Sequence, residues 1–287
     1  MKLGLSTYSL LRAMQAGDMT VLDVIQWTKD NGGEHVEIVP LGYDLEKNPE
    51  LIPQIKEKAE ACGLSISNYA IGASFLQEDE ASFKKEIERV IHNVDIAHQL
   101  GVTRMRHDVG FLPPAEATVV RFERDLPQLV NACRQVADYA AQFGITTSVE
   151  NHGFYVQSTE RIQRLIEEVD RPNFKTILDV GNFLCVDEDP LAAVKRNLPY
   201  ASMVHLKDFY YRKDEVKRGA GWFDSANGNG LRGAIVGHGD LPLVDIIKVV
   251  KAFGYDGDIS IEFEGMEDCL QGSKLGMDLA KQLWETV

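Results

Sequence analysis

Residues 142–146 read Gln-Phe-Gly-Ile-Thr and join the end of a helix-like run to the start of a strand-like run. The same junction recurs around Gly63, Gly101 and Gly254, where an apolar run begins within a few residues of the glycine. Glycine ends a helix readily because it adopts the left-handed conformation without the steric penalty of a Cβ atom. The recurrence predicts repeated helix-to-strand connections within one fold rather than separate domains.

Upstream of these glycines, apolar residues recur three or four positions apart, a spacing that gives each segment one buried helical stripe. The stripes predict eight helices, which include residues 21–27, 51–59, 83–94, 126–137, 162–169, 191–194, 243–250 and 279–284. Short apolar or β-branched runs predict eight strands near residues 3–9, 34–39, 64–70, 102–108, 145–150, 175–180, 202–207 and 258–264. Strands and helices therefore alternate along the whole chain.

Eight such units of about 36 residues each are typical of a (β/α)8 barrel, an α/β fold that needs about 250 residues. The alternative, a doubly wound open sheet, would carry a glycine-rich phosphate loop after an early strand, and neither GxGxxG nor a Walker motif stands there. No Pro-, Ser- or Gly-rich linker divides the chain. We therefore predict a single (β/α)8 TIM barrel domain over residues 1–287, with a long lid-like loop at about residues 208–240.

The composition excludes several classes of partner. The chain has 287 residues, with 30 Lys and Arg against 44 Asp and Glu, so its formal net charge is −14. This negative field repels phosphates, and no apolar stretch approaches the ~20 residues that span a bilayer, so we expect neither a nucleic-acid nor a membrane partner. The 4 cysteines form no CxxC pair and no signal peptide precedes the first apolar segment, which predicts reduced thiols and a cytoplasmic location.

Each of the last four predicted strands ends in a polar residue that is costly to bury: Glu150, Asp179, His205 and Glu262. The strand ends of a parallel barrel meet at its C-terminal face, where active sites gather. Clustered carboxylates repel one another, and a divalent cation resolves the conflict. One nitrogen and three oxygen ligands favour an octahedral ion, and we predict Mn²⁺, with Mg²⁺, Co²⁺ and Fe²⁺ as alternatives. Taken singly, each residue could instead cap a helix or form an ion pair.

The motifs around these four residues resemble those of the xylose isomerase-like barrel superfamily of sugar phosphate isomerases and epimerases. They are Val-Glu150-Asn-His, Leu-Asp179-Val-Gly-Asn, Val-His205-Leu-Lys-Asp and Ile-Glu262-Phe-Glu-Gly. The resemblance extends over essentially the whole chain and includes the Gly-His-Gly-Asp turn at residues 237–240. It implies a metal ion held by the four residues, a small sugar or polyol substrate and a homo-oligomer, either a dimer or a tetramer.

In the ketose 3-epimerase branch, the resemblance further implies that Glu150 and Glu262 are the catalytic acid/base pair on opposite faces of the substrate carbon. The metal would stabilise a cis-enediolate, since a Lewis acid stabilises developing enolate charge. Removal of a proton by one glutamate and its return by the other would invert the carbon. We therefore predict a metal-dependent isomerase or epimerase of a small ketose or keto-polyol derivative.

Two departures from the epimerase pattern leave the reaction open. The epimerase branch has a histidine three residues after the metal-binding aspartate, where this chain has Asn182. The His-Leu-Lys-Asp motif at residues 205–208 is more similar to the inosose dehydratase branch, in which an enolate expels a hydroxyl group. The alternatives are thus an inosose dehydratase-like lyase and a non-catalytic sugar-binding barrel. The AP endonucleases share this barrel but need further ligands for three zinc ions, and Asn182 occupies one such position.

Further polar residues near the strand ends are candidate substrate ligands: His107, His152, Asn182, Lys207, Trp222, Arg232 and His238. Lys207 shares a strand face with His205 by two-residue alternation, and its alternative role is an ion pair with Asp208 or Glu264. Trp222 offers an aromatic face to a sugar ring. Arg106 ends the same predicted strand as His107 and could also reach substrate oxygens, whereas Tyr8 and Glu37 are weaker candidates. Glu264 points the same way as Glu262 but lies further out, so we expect it to support the ligands, and it would be a ligand itself if the strand register were shifted.

Overall fold

Eight parallel strands close into a barrel in this computed structural model, which describes residues 1–213 and 219–287. Within these residues the strands are β1 (Lys2–Ser6), β2 (His35–Ile38), β3 (Ser65–Ile71), β4 (Arg104–His107), β5 (Thr146–Glu150), β6 (Phe174–Asp179), β7 (Ala201–Leu206), β8 (Asp208–Arg212), β9 (Phe223–Asp224), β10 (Gly230–Ala234) and β11 (Asp258–Ile261). The order around the barrel is β1-β2-β3-β4-β5-β6-β7-β11, and β11 closes onto β1 through the register Lys2 to Asp258. The predicted (β/α)8 barrel is confirmed.

Each barrel strand is followed along the chain by one or two α-helices. In the described ranges they are α1 (Leu11–Ala16), α2 (Val21–Asp30), α3 (Leu51–Cys62), α4 (Glu80–Leu100), α5 (Val119–Ala141), α6 (Thr159–Val169), α7 (Pro190–Asn197), α8 (Leu243–Ala252) and α9 (Cys269–Thr286). Short 3₁₀ helices span Thr7–Leu10, Asn182–Val186 and Leu198–Tyr200. Among the described residues, none of these helices combines the length and the apolar character that a bilayer crossing requires.

Local sequence accounts for where the helices begin and end. Helix α2 starts with a capping box, because Thr20 accepts a hydrogen bond from the Asp23 backbone N–H and the Asp23 side chain accepts one from Thr20. Gly63 and Gly101 follow α3 and α4 with φ of 67° and 78°, the left-handed conformation that the junctions predicted. Helix α1 was not predicted, since six residues are too short to show a helical period.

Alternation along each strand separates the apolar core from the polar mouth of the barrel. Val36 and Ile38 of β2 join the core between sheet and helices, whereas the side chain of Glu37 between them reaches the inner cavity. On β5, Val149 likewise joins the core and Glu150 reaches the inner cavity. Full burial of such an aliphatic side chain stabilises the fold by about 1.5–3 kcal/mol, which offsets the cost of placing charges inside.

The segment at residues 208–240, predicted as a lid-like loop, forms a small antiparallel sheet in its described part. Strands β8 and β10 pair from Asp208 opposite Ala234 to Arg212 opposite Gly230, and β9 adds two residues at the edge of β10. Its glycines suggested a loop, but the aromatic run that begins at Phe209 favours a strand. Residues 214–218 of this segment lie outside the described residues.

Candidate metal centre

The side chains of Glu150, Asp179, His205 and Glu262 meet at the C-terminal mouth of the barrel, with one ligand atom from each within 4.8 Å of the others. His205 Nδ1 lies 3.6 Å from Glu150 Oε1, 3.8 Å from Glu262 Oε2 and 4.0 Å from Asp179 Oδ2. All four residues are buried, with at most 8% of their surface exposed. The structure thus brings together the four side chains that the sequence singled out as metal ligands.

His205 is oriented by Glu37 from the opposite side of the barrel. Its Nε2 atom lies 2.8 Å from Glu37 Oε2, and Glu37 Oε1 accepts a hydrogen bond of 2.8 Å from the Asn68 amide. Glu37 is fully buried, so its carboxylate is held in place for this contact. A carboxylate behind an imidazole fixes the ring and its tautomer, which leaves Nδ1 to face the three carboxylates.

Asp179 is held by its own backbone surroundings. Its Oδ1 atom accepts hydrogen bonds of 2.8 Å from the backbone N–H groups of Gly181 and Asn182. The Asn151 side chain links the ends of β5 and β6, because it accepts a hydrogen bond from the N–H of Asp179 and donates one to its C=O. A Cβ atom at residue 181 would lie 2.9 Å from the Lys207 carbonyl oxygen, so this close approach requires glycine. Asp179 Oδ2 is thereby left to point into the cluster.

Arg106 of β4 supports the glutamate on β5. Its Nη2 atom lies 2.8 Å from Glu150 Oε2, 2.9 Å from Asp108 Oδ1 and 3.2 Å from His152 Nδ1. Burial raises the pKa of Glu150, but the charges of Arg106 and His205 outweigh it and hold that pKa well below its ordinary value. Glu150 is therefore fixed as an anion, the form that binds a metal ion.

Lys207 places a buried ammonium group beside Glu262. Its Nζ atom lies 2.7 Å from Glu262 Oε2 and 3.3 Å from Glu264 Oε2, and it donates a hydrogen bond of 3.3 Å to Asn182 Oδ1. Burial lowers the pKa of Lys207, but the charges of Glu262 and Glu264 outweigh it and raise that pKa well above its ordinary value. Lys207 is therefore protonated at neutral pH.

The cluster fits a divalent cation. His205 Nδ1 and Asp179 Oδ2 are buried and have no hydrogen-bond partner among the described residues. Burial, with the charges of Glu150 and Glu262, raises the pKa of Asp179 to about 6 despite the opposing effect of Lys207. Six carboxylates surround two permanently charged cations, Arg106 and Lys207; the carboxylates are those of Glu37, Asp108, Glu150, Asp179, Glu262 and Glu264. A hard ion bound by oxygen and imidazole ligands would balance this excess.

A cavity of about 180 Å³ opens over the cluster. Glu150, Glu262 and His205 line it together with His152, Lys207 and Tyr8. Glu264, which accepts a hydrogen bond of 3.2 Å from the Tyr8 hydroxyl, lies at its more exposed rim and outside the cluster. Two of the candidate substrate ligands, His152 and Lys207, thus reach the cavity.

The other candidate substrate ligands lie elsewhere. Asn182 is behind the cluster, where its amide donates a hydrogen bond of 3.3 Å to Glu150 Oε1. Trp222 and Arg232 contact each other on the small sheet, with the guanidinium carbon 5.5 Å from the centre of the indole ring, and His238 is exposed in the turn after β10. The described residues that line the cavity do not include Trp222, Arg232 or His238.

Of the two residues predicted to end the fourth strand, Arg106 lines the cavity and His107, a candidate substrate ligand, does not. His107 is fully buried, with its ring 5.7 Å from that of Phe75, and it does not line the cavity. Adjacent residues of a strand face opposite sides, so only one of the two can point inward. Burial lowers the pKa of His107 to about 4, which keeps the ring neutral at pH 7. The sequence named Arg106 together with His107 but did not single out Asp108, because a strand of four residues gives too little alternation to tell its two faces apart.

Comparison with known proteins agrees with this architecture. Residues 25–283 match the family described as xylose isomerase-like TIM barrel. The chain is 26% identical to inosose dehydratase from Geobacillus kaustophilus (strain HTA426) over 266 residues, which cover 84% of this chain and 85% of that protein. The match to inosose dehydratase from Geobacillus thermodenitrificans (strain NG80-2) is 27% identical over 144 residues, so the chain spans about half of that relative, 48% of its length.

Solved structures share the fold at lower identity. The probable 3-DHS dehydratase from Bacillus anthracis superimposes with a TM-score of 0.77 at 20% identity, covering 98% of this chain and 99% of that one. D-Psicose 3-epimerase from Clostridium cellulolyticum H10 gives a TM-score of 0.74 at 15% identity, covering 99% of each chain. Dehydratases and epimerases thus stand together among the proteins that this chain resembles.

Proposed function

The chain belongs to the xylose isomerase-like TIM barrel family, and within that family we propose that it is a divalent-metal-dependent lyase that dehydrates a polyhydroxy ketone of the inosose class. One observation carries the proposal. The buried ammonium group of Lys207 lies 2.7 Å from the Glu262 carboxylate, and both line the cavity over the candidate metal centre. A proton acceptor and a proton donor side by side are what the elimination of water requires. The names of the two inosose dehydratases support the substrate class.

The metal would be held by Glu150, Asp179, His205 and Glu262, and it would polarise the ketone carbonyl and acidify the neighbouring C–H group. Glu262 removes that proton, and the electron pair of the C–H bond forms the enolate. Lys207 then gives a proton to the hydroxyl group on the next carbon, the C–O bond breaks, and a water molecule leaves as the C=C bond forms. Proton transfer from Glu262 to Lys207 restores both groups, since their atoms are within hydrogen-bond distance.

Epimerisation, the reaction that the sequence favoured, is the second candidate. It is supported by Glu150 and Glu262 both lining the cavity and by the fold shared with D-psicose 3-epimerase. The reaction needs two carboxylates that exchange protons with the substrate. Glu150 is ion-paired with Arg106 at 2.8 Å, whereas Glu262 is the glutamate that contacts the ammonium group of Lys207, and this asymmetry between the two glutamates favours the lyase.

The proposal is tested by incubating the Mn²⁺-loaded protein with scyllo-inosose in D₂O and following the product by mass spectrometry. A lyase gives a product lighter by one water, whereas an epimerase gives an isomer that carries solvent deuterium. The Lys207→Met variant is expected to lose the elimination but to retain deuterium exchange at the α-carbon, because Glu262 remains. Lys195→Met, at an exposed position of α7, is the matched control and should react like the wild type.

Each other outcome has a defined meaning. Deuterium incorporation without loss of water assigns the epimerase, and undiminished elimination by Lys207→Met removes Lys207 from the mechanism. Ligand binding with neither exchange nor elimination favours the non-catalytic sugar-binding barrel. Mn²⁺ is the proposed ion, with Mg²⁺, Co²⁺ and Fe²⁺ tested in parallel, and a homo-oligomer remains a proposal for light scattering to test.

A further inference from the structure

A second, larger cavity adjoins the one over the candidate metal centre. Its volume is about 520 Å³, nearly three times the 180 Å³ of the first. The two share Val39, Leu41, Ala70, Arg106 and His152 as lining residues, so they lie side by side at the barrel mouth. Small-molecule sites are typically about 300–1,000 Å³, and the cavity at the cluster alone is below that range. A substrate confined to the cluster would leave most of this space to water.

The arginines that line the second cavity are already paired with protein groups. Arg89 donates bonds of 2.9 Å to each oxygen of Glu86 and one of 2.7 Å to the Gly72 carbonyl. Arg106, at the junction of the cavities, is occupied by Asp108 and Glu150. A phosphate or carboxylate entering here would meet no cation that is free of a protein anion among the lining residues described.

Hydrogen-bond acceptors, in contrast, remain available in the second cavity. Glu46 uses Oε1 to accept from the Asn93 amide, and the structure shows no hydrogen bond to its Oε2 among the described residues. Asp108 Oδ1 is shared by Arg106 and His152, and its Oδ2 is likewise without a hydrogen bond in the described ranges. Carboxylate oxygens accept hydrogen bonds and repel anions, so they select neutral groups that carry hydroxyls.

We propose that this second cavity is a substrate subsite for a neutral glycosyl group attached to the polyhydroxy ketone at the metal centre. The proposal rests on the proposed function for the identity of the reacting ring, and adds that the preferred substrate is a glycoside rather than a free or phosphorylated ring. Glu46 and Asp108 accept hydrogen bonds from the glycosyl hydroxyls, and Gly72, which also lines the cavity, has no side chain to occupy the space of this group.

The experiment compares scyllo-inosose with its O-glucoside and its monophosphate as substrates of the Mn²⁺-loaded protein. We expect kcat/KM to be higher for the glucoside by about tenfold or more, the discrimination that a few hydrogen bonds provide. The Gly72→Leu variant places a side chain in the subsite. A Cβ atom at this position would make only an ordinary contact of 3.8 Å with Asp108 Oδ2. The variant should abolish the preference and leave turnover of free inosose within about twofold of wild type.

Gly219→Leu is the matched control, since no atom of the described residues lies within 4 Å of a Cβ atom built there. Equal turnover of free and glucosylated inosose, or a preference for the monophosphate, overturns the subsite while the lyase stands. If no compound is turned over, the proposed function fails. Calorimetric titration with the three compounds then tests whether the subsite binds a glycosyl group, independently of turnover. Tighter binding of the glucoside that Gly72→Leu removes supports the subsite, and equal or absent binding overturns it.

Discussion

The two halves of the barrel mouth differ in what they contribute. Strands β5, β6 and β7 and the end of β11 provide the four side chains of the candidate metal cluster. Strands β2 and β4 provide the groups that hold these side chains, namely Glu37 behind His205 and Arg106 beside Glu150. The larger cavity also lies on this second side, next to β2, β3 and β4. One half therefore provides the candidate metal ligands, and the other provides the groups that orient them and line the larger cavity.

The largest effect should come from the metal-binding half. Replacing both Glu150 and Glu262 by Gln removes two anionic ligands, so we expect bound metal to fall from about one ion per chain to none and turnover to fall by more than about a hundredfold. Metal analysis and the inosose assay measure this. Full activity of both single Gln variants would contradict the assignment of the cluster.

A smaller effect should follow from the supporting half at Glu37. Glu37→Gln keeps the shape but loses the charge that orients His205, so the Kd for Mn²⁺ should rise by about 10–100-fold. Glu57→Gln, at an exposed position of α3, is the control and should leave the Kd unchanged. If Glu37→Gln bound Mn²⁺ like the wild type, the division between the two halves would not hold.

Substitution of Arg106 should have a still smaller effect, which lowers kcat/KM and leaves metal binding unchanged. Arg106→Lys keeps the charge but cannot reach Glu150, Asp108 and His152 together, so we expect kcat/KM to fall by about tenfold while the metal content is unchanged. The exposed Arg164 of α6 is the site of the control variant, Arg164→Lys. Loss of metal from Arg106→Lys would place Arg106 with the residues that determine metal binding instead.

His107, on the outer face of the same strand, should affect stability and not activity. Its pKa is about 4 in the folded protein, below the ordinary value of 6.5, so the unfolded chain binds the extra proton as the pH falls from 6.5 to 4. Folded stability should therefore decrease over this window by about 3 kcal/mol, and His107→Leu should remove that part of the pH dependence. Urea unfolding at pH 7 and pH 4 measures the change in the free energy of unfolding, with His92→Leu at an exposed position as control. If the free energy of unfolding changed equally with pH in His107→Leu and wild type, His107 would not be buried as a neutral ring.

The metal-binding half was predictable because its signals are local. Glu150 and Asp179 end their strands and His205 is the last but one residue of its strand; all three strands are largely buried, so a charged residue or a histidine there is conspicuous in the sequence. The supporting half gave weaker signals, since Glu37 and Arg106 stand in strands of only four residues. In such short runs the alternation is not decisive, so the sequence pointed to His107 and Arg106 alike as residues that could reach the substrate.

The sequence by itself determined the alternation of helices and strands, the barrel and the residues that end its last four strands. These follow from the apolar period, from glycines that accept positive φ and from the cost of burying charge, all of which act over a few residues. Only the tertiary structure decided that Glu37 meets His205, that Lys207 meets Glu262 and that a second cavity joins the first. Those pairings depend on barrel closure and strand register, which bring together atoms from elements far apart in the chain.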